Sequence, residues 1–258
     1  MNYQYISVVR EGKLTLVTLQ RPEAHNALNA RAHEELQHAF DRFSEDDQQW
    51  VAILTGSGNK AFCAGHDLKQ QASGGGLTTP SMGFGGLTAR FNLNKPVIAA
   101  VNGLAMGGGF ELALACDLII AAPNAVFALP EPKVGLAALA GGLQRLPRLI
   151  GLKRSMGMLL TGRRVSAIEG RELGFVNEVA EDDVLTAARR WADEILTSSP
   201  LSVRATKQAV LLGLDTPIEK ALAEEWNYPA VRQMLDSDDA IEGPRAFAEK
   251  RLPQWSGR

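Results

Sequence analysis

Apolar residues along this chain change their spacing several times, and each change marks an element. Residues 3–20 alternate apolar and polar on either side of Glu11-Gly12-Lys13, which predicts two strands and a turn. Arg21-Pro22 ends the second strand. From about 30 to 43 the period lengthens, with Leu36, Ala39, Phe40 and Phe43 on one face and Asn29 placed to cap a helix. Trp50–Thr55, Val97–Val101 and Leu118–Ala122 are short apolar runs suited to buried strands. Between the last two lie Gly107, Gly108 and Gly109, followed by the helix-compatible run Phe110–Cys116. A short extended piece, Asn124–Leu129, stops at Pro130. The run VGLAALAGGLQRL leads into a helix rich in Leu and Arg, and residues 165–179 suit a short helix and strand. Beyond 182 the pattern is helical throughout: Val184–Ser198, Pro200–Leu214, Pro217–Leu235 and a final helix ending near Arg251. The expected fold class is therefore α/β with a helical tail. A soft boundary near 200 divides residues 1–200, the α/β core, from residues 201–258, a helical C-terminal segment.

Composition narrows the picture without naming a chemistry. The 258 residues are 45% hydrophobic, enough for a sizeable core. A formal net charge of −2 gives no electrostatic footprint for nucleic acid or an anionic membrane. No apolar run reaches the roughly 18 residues of a membrane span, and MNYQYISVVREGKL lacks the apolar stretch of a signal peptide. Two cysteines, Cys63 and Cys116, suit a reducing, cytoplasmic compartment with free buried thiols, Cys116 on the buried face of the 110–116 helix. His25, His33, His38 and His66 are scattered without metal-ligand spacing, so no metal is expected.

Candidate chemistry concentrates around the glycine triplet. Glycines before a helix let the backbone approach a ligand, and the first helical N–H groups point outward with the positive end of the dipole. Such a terminus can receive an anion or an oxyanion, although the same glycines can also serve packing alone. Two carboxylates sit at the breaks: Glu111 in the first turn after the glycines, and Glu131 between Pro130 and Pro132. The second would return beside the first if the two strands are neighbours. The dipole should favour the charged form of Glu111. A second stretch, AFCAGHDL, places Gly65 at a sharp turn, with His66-Asp67-Leu68 able to open a helical turn and leave a free N–H at His66. Residues 72–89, rich in glycine and short polar residues, read as a flexible loop. Gly56-x-Gly58-x-x-Ala61 matches a dinucleotide fingerprint after a strand, but it runs into AFCAGHDL instead of a helix and is rejected.

The stretches RPEAHNALNA, AFCAGHDL, KPVIAAVNGLAMGGGFELALACD, FALPEPKVGL, GGLQRLPRLIG and DAIEGPRAFAEKRLPQWSGR together resemble the crotonase superfamily, the enoyl-CoA hydratase/isomerase family, across nearly the whole chain. That resemblance implies a crotonase-like spiral of ββα units with a C-terminal helical segment that builds trimers, often paired as hexamers. It implies an acyl-CoA thioester substrate, no separate cofactor, and hydration of a 2-enoyl-CoA. Backbone N–H groups of His66 and Gly108 would form the oxyanion hole; Glu111 would activate water and Glu131 would deliver a proton to Cα. Ala24, Ala64, Asp67, Leu68, Leu139 and Lys250 fall at positions that bind substrate or coenzyme A, Lys250 reaching across the trimer to a neighbour's ligand. Met82, Phe84 and Leu87 lie in the region that covers the acyl pocket. Members acting on a short acyl group that ends in trimethylammonium have the closest pattern, yet they carry an acidic residue at the position of Leu139 and an aromatic one at that of His66. Isomerase, thioester hydrolase and decarboxylase activities share the scaffold, and some members bind RNA or are non-catalytic.

Overall fold

The computed structural model describes residues 1–67 and 80–258. Ten strands are found among them: β1 (Ile6–Glu11), β2 (Leu14–Leu19), β3 (Val51–Gly56), β4 (Ala61–Cys63), β5 (Val97–Val101), β6 (Leu104–Met106), β7 (Leu118–Ala121), β8 (Val126–Ala128), β9 (Val165–Ser166) and β10 (Glu178–Val179). The helices are α1 (Ala30–Glu45), α2 (Gly108–Leu114), α3 (Gly142–Ile150), α4 (Leu152–Thr161), α5 (Ala167–Leu173), α6 (Val184–Leu196), α7 (Pro200–Gly213), α8 (Ile218–Glu224), α9 (Pro229–Leu235) and α10 (Asp238–Ala248). No helix among the described residues is long and apolar enough to cross a membrane.

From β3 to β8, consecutive strands are dealt alternately to two sheets. A six-stranded sheet has the order β1-β2-β3-β5-β7-β10, and a four-stranded sheet the order β4-β6-β8-β9. Thus β3, β5 and β7 lie parallel in the large sheet, while the strand that follows each of them (β4, β6, β8) lies parallel in the small one. This is the repeating ββα spiral expected of the fold. Side-chain alternation explains how the large sheet is covered on both faces. Ala52, Leu54, Val97, Ala99 and Val101 join one core cluster together with α1 and the small sheet. Val51, Ile53, Ile98, Ala100 and Ile120 join a second, closed by Val184, Ala188 and Ala192 of α6.

One short strand was invisible to periodicity, and one expected helix is broken. Leu104–Met106 reads from sequence as part of a glycine turn, but is β6. Three residues are too few to show a period of two, and only the neighbours β4 and β8 define the strand. The expected helix over 217–235 is interrupted: Pro229 restarts it as α9 after a 3₁₀ turn at Glu225–Asn227. The Gly56–Ala61 stretch leads into β4 and not into a helix, as its rejection as a nucleotide motif requires.

Candidate active site

The site lies where β4, β6 and β8 end. Their register pairs Cys63 with Ala105 and Met106 with Ala128. The residues that follow these strands therefore arrive together: Gly65-His66 after β4, Gly107-Gly108 after β6, and Pro130-Glu131 after β8. Parallel sheets place ligand sites at their carboxyl ends for this reason. A Cβ on Gly65 would stand 3.1 Å from Gly108 N, and one on Gly107 would stand 3.0 Å from Glu131 Oε1. The glycines are required by this crowding. Gly107 has φ +54°, and a Cβ on Gly109 would collide with the Cys63 carbonyl.

Two backbone donors are left free. His66 forms a parallel bridge with Leu28, in which Leu28 N–H donates to Gly65 O at 2.8 Å and Asp67 N–H donates to Leu28 O at 3.0 Å. That pattern uses the groups on either side of His66 and leaves its own N–H unpaired among the described residues. His66 itself is in extended backbone, and the helical turn expected to open there runs into Leu68, outside the described residues. Gly108 N–H, at the first position of α2, is likewise unpaired. Both residues line one cavity of about 1660 Å³, together with Glu111 and Glu131.

Glu111 is 3% exposed and accepts a hydrogen bond from Gly142 N–H at 2.8 Å. Burial pushes its carboxyl up to about 7; the Gly142 N–H opposes this, Glu131 adds to it, and Arg145 opposes it. The expectation that the helix terminus would keep Glu111 charged is thus corrected. Desolvation of a fully enclosed carboxylate outweighs the field of a two-turn helix. Burial also raises Glu131, whose Oε2 has no hydrogen-bond partner. Behind them Phe110, Phe127 and Phe175 pack with centroids 5.1–5.2 Å apart and hold α2 against β8.

The structure also brings in residues that the sequence did not single out. His33 of α1 is buried, its Nδ1 accepts Gly85 N–H at 2.9 Å, and its ring lies 5.2 Å from that of His66 and 4.6 Å from Phe84. Burial lowers His33 to about 4 and His66 in the same direction, so both rings are neutral near pH 7. A histidine on the apolar face of an amphipathic helix was the only sequence signal for this contact. Arg145 lines the cavity as well, as does Cys116, which follows α2 half-buried and not on the helix face expected for it.

Of the other expected contacts, Ala64, Phe84, Leu87 and Leu139 line the cavity. Leu139 is 82% exposed and makes its wall apolar there. Met82 does not line it. Ala24 ends a 3₁₀ turn outside the lining, and Asp67 is ion-paired to Arg21 at 2.9 Å, also outside it. Lys250, just past α10, is exposed and does not reach this chain's cavity. Leu68 and the first part of the expected loop lie outside the described residues.

The Enoyl-CoA hydratase/isomerase family model matches residues 10–258. Among curated relatives, a carnitinyl-CoA dehydratase of Escherichia coli (strain SMS-3-5 / SECEC) is 45% identical over 264 residues, covering 98% of each chain. One from Salmonella enteritidis PT4 is 44% identical over 261 residues with the same coverage. The solved structure of an enoyl-CoA hydratase from Mycobacterium tuberculosis H37Rv superposes with a TM-score of 0.92 at 41% identity, covering 98% of this chain and 99% of that one. That of a Bacillus anthracis enoyl-CoA hydratase gives 0.90 at 38%, covering 99% and 100%.

Proposed function

The chain belongs to the enoyl-CoA hydratase/isomerase family, and on that premise we propose that it adds water to, and removes it from, the α,β double bond of an enoyl-CoA thioester. One observation carries the reading: two unpaired backbone N–H groups, the buried carboxyl of Glu111 and the half-buried carboxyl of Glu131 face the same cavity, beyond the ends of three parallel strands. The thioester oxygen gains charge as the enolate forms, and the N–H groups of His66 and Gly108 are placed to stabilise it. Losing one such donor typically costs about 2.7–4 kcal/mol. Glu111, held by Gly142 N–H, takes a proton from water as the water oxygen bonds to Cβ. Glu131, with its free oxygen, gives a proton to Cα. Dehydration reverses both transfers. Burial suits Glu111 to this exchange, since a carboxyl near 7 is a competent base at neutral pH, and it raises Glu131 in the same direction, as a proton donor requires. Two carboxylates at the site favour hydration over isomerisation, which needs to move only one proton between carbons.

The curated relatives support a second reading, a crotonobetainyl thioester ending in trimethylammonium. The cavity argues against that end group. Leu139 is apolar, and the remaining carboxylates of the described lining are engaged, Asp117 with Lys207 at 2.7 Å and Asp215 with Arg148 at 3.2 Å. An uncharged short or medium acyl group is the better fit. Hydration rates over a panel of enoyl-CoA thioesters, crotonobetainyl-CoA included, decide between the two. Glu131→Gln should lower kcat on the best substrate by at least about 10²-fold. Turnover above a tenth of wild type would remove Glu131 from the mechanism.

Assembly belongs to the same proposal. Leu214, Ile218, Trp226 and Phe247 are 68%, 74%, 61% and 88% exposed, which supports burial of the C-terminal helices between copies in a homotrimer or a dimer of trimers. Lys250 would then reach the coenzyme A phosphates of a neighbour as a point charge.

A further inference from the structure

Two walls of the cavity belong to different parts of the chain. One is the 80–91 segment, fastened to α1: Gly85 N–H donates to His33, Arg90 Nη2 donates to Gln37 O at 3.3 Å, and Arg90 pairs with Asp41 at 2.7 Å. The other is the Gly141–Gly142 turn at the start of α3, which supplies the N–H that holds Glu111. Among the described residues a single hydrogen bond joins the 80–91 segment to α3: Arg145 Nη2 donates to Thr88 O at 2.8 Å. The rest of the same guanidinium covers the turn, since a Cβ on Gly141 would collide with Nη1. Gly141 has φ +107°, a conformation open to glycine. The guanidinium also lies 5.9 Å from the Phe91 ring centroid, on the same segment as Thr88.

We propose that Arg145 is a positioning residue for hydration: by bridging Thr88 and the Gly141 turn, it aims Gly142 N–H at Glu111 and fixes the acyl wall relative to that carboxylate. The inference rests on the hydratase reading above. A plain structural role for an arginine in a helix would be met by any fold-preserving substitution. Bridging demands more. A planar guanidinium with five donors can serve a carbonyl and cover a turn together, whereas a lysine ammonium can satisfy only one of them. The charge has a separate effect. The titratable and charged groups facing Glu111 are Glu131 and Arg145, and they act in opposite directions. Cys116 faces Arg145 and remains a thiol, raised by burial. Shape and charge at Arg145 therefore have distinguishable consequences.

The experiment measures kcat and KM for hydration against pH in the wild type, Arg145→Met, Arg145→Lys and Arg154→Met, with circular dichroism to establish folding. Arg154 is exposed on α4 and serves as a charge control. Arg145→Met should lose kcat by at least about tenfold with KM changed less than about threefold, and the acid limb of kcat/KM should move to higher pH, because an opposite charge has been taken from Glu111. Arg145→Lys should return the limb toward its original position and leave kcat low, since charge is restored without the bridge. Arg154→Met should match the wild type. The proposal is overturned if Arg145→Met keeps its kcat and limb, if the loss falls entirely on KM, or if neither Arg145 variant folds, which would make the arginine a fold requirement only. A wild type that hydrates no thioester in the panel sinks the functional reading instead.

Discussion

Glu111→Gln should make the protein more stable while abolishing most of its turnover, and the gain should depend on pH. The carboxyl is 3% exposed, and its pKa stands at about 7 instead of the ordinary 4.5. At 1.36 kcal/mol per pH unit, ionising it in the folded state costs about 3 kcal/mol. Below pH 4.5 the group is protonated in both the folded and the unfolded state, and no cost arises. Between 4.5 and about 7 the folded protein retains a proton that the unfolded chain has released, so stability falls as pH rises; above 7 the penalty is constant. Glutamine cannot ionise, and its carbonyl can still accept the Gly142 N–H. Urea unfolding at fixed protein concentration should show the variant ahead by under about 1 kcal/mol at pH 5 and by about 3 kcal/mol at pH 8. Over the same change kcat for hydration should drop by at least about 10²-fold. An identical stability gap at the two pH values, or a variant less stable at pH 8, refutes the account of Glu111 as a carboxyl held against its desolvation cost for the sake of chemistry.

His66→Ala should retain most activity, because the proposed donor is the backbone; His66→Pro, which deletes that N–H, should abolish it. An alanine variant as inactive as the proline variant would assign the role to the imidazole packed on His33 and Phe84. Light scattering at micromolar concentration should report a trimer or hexamer, and Lys250→Ala should raise KM several-fold with kcat unchanged, the loss shrinking as salt rises. A monomer, or a KM indifferent to the substitution, removes the inter-subunit contact.

Much of this arrangement is legible along the chain, because local physical chemistry decides it. The strands Val51–Gly56, Val97–Val101 and Leu118–Ala121 are continuous apolar runs, since both faces of the large sheet are covered. Asn29 caps α1 by accepting Ala32 N–H at 2.8 Å, as its position before an amphipathic run implies. The glycine triplet and the two glutamates stand at breaks in the pattern, and motif resemblance assigned them roles. Other features depend on groups distant in sequence. The strand β6 exists only through pairing with β4 and β8, and that register alone sets Glu131 beside Gly107. The free N–H of His66 follows from the bridge to Leu28, 38 positions earlier. The protonation of Glu111 shows the division most clearly. Its place in a first helical turn argues for a charged carboxylate, but the enclosure supplied by α3 and the 131–142 segment raises its pKa to about 7. Desolvation depends on everything packed around a group, whereas a dipole and a cap depend only on its neighbours in sequence.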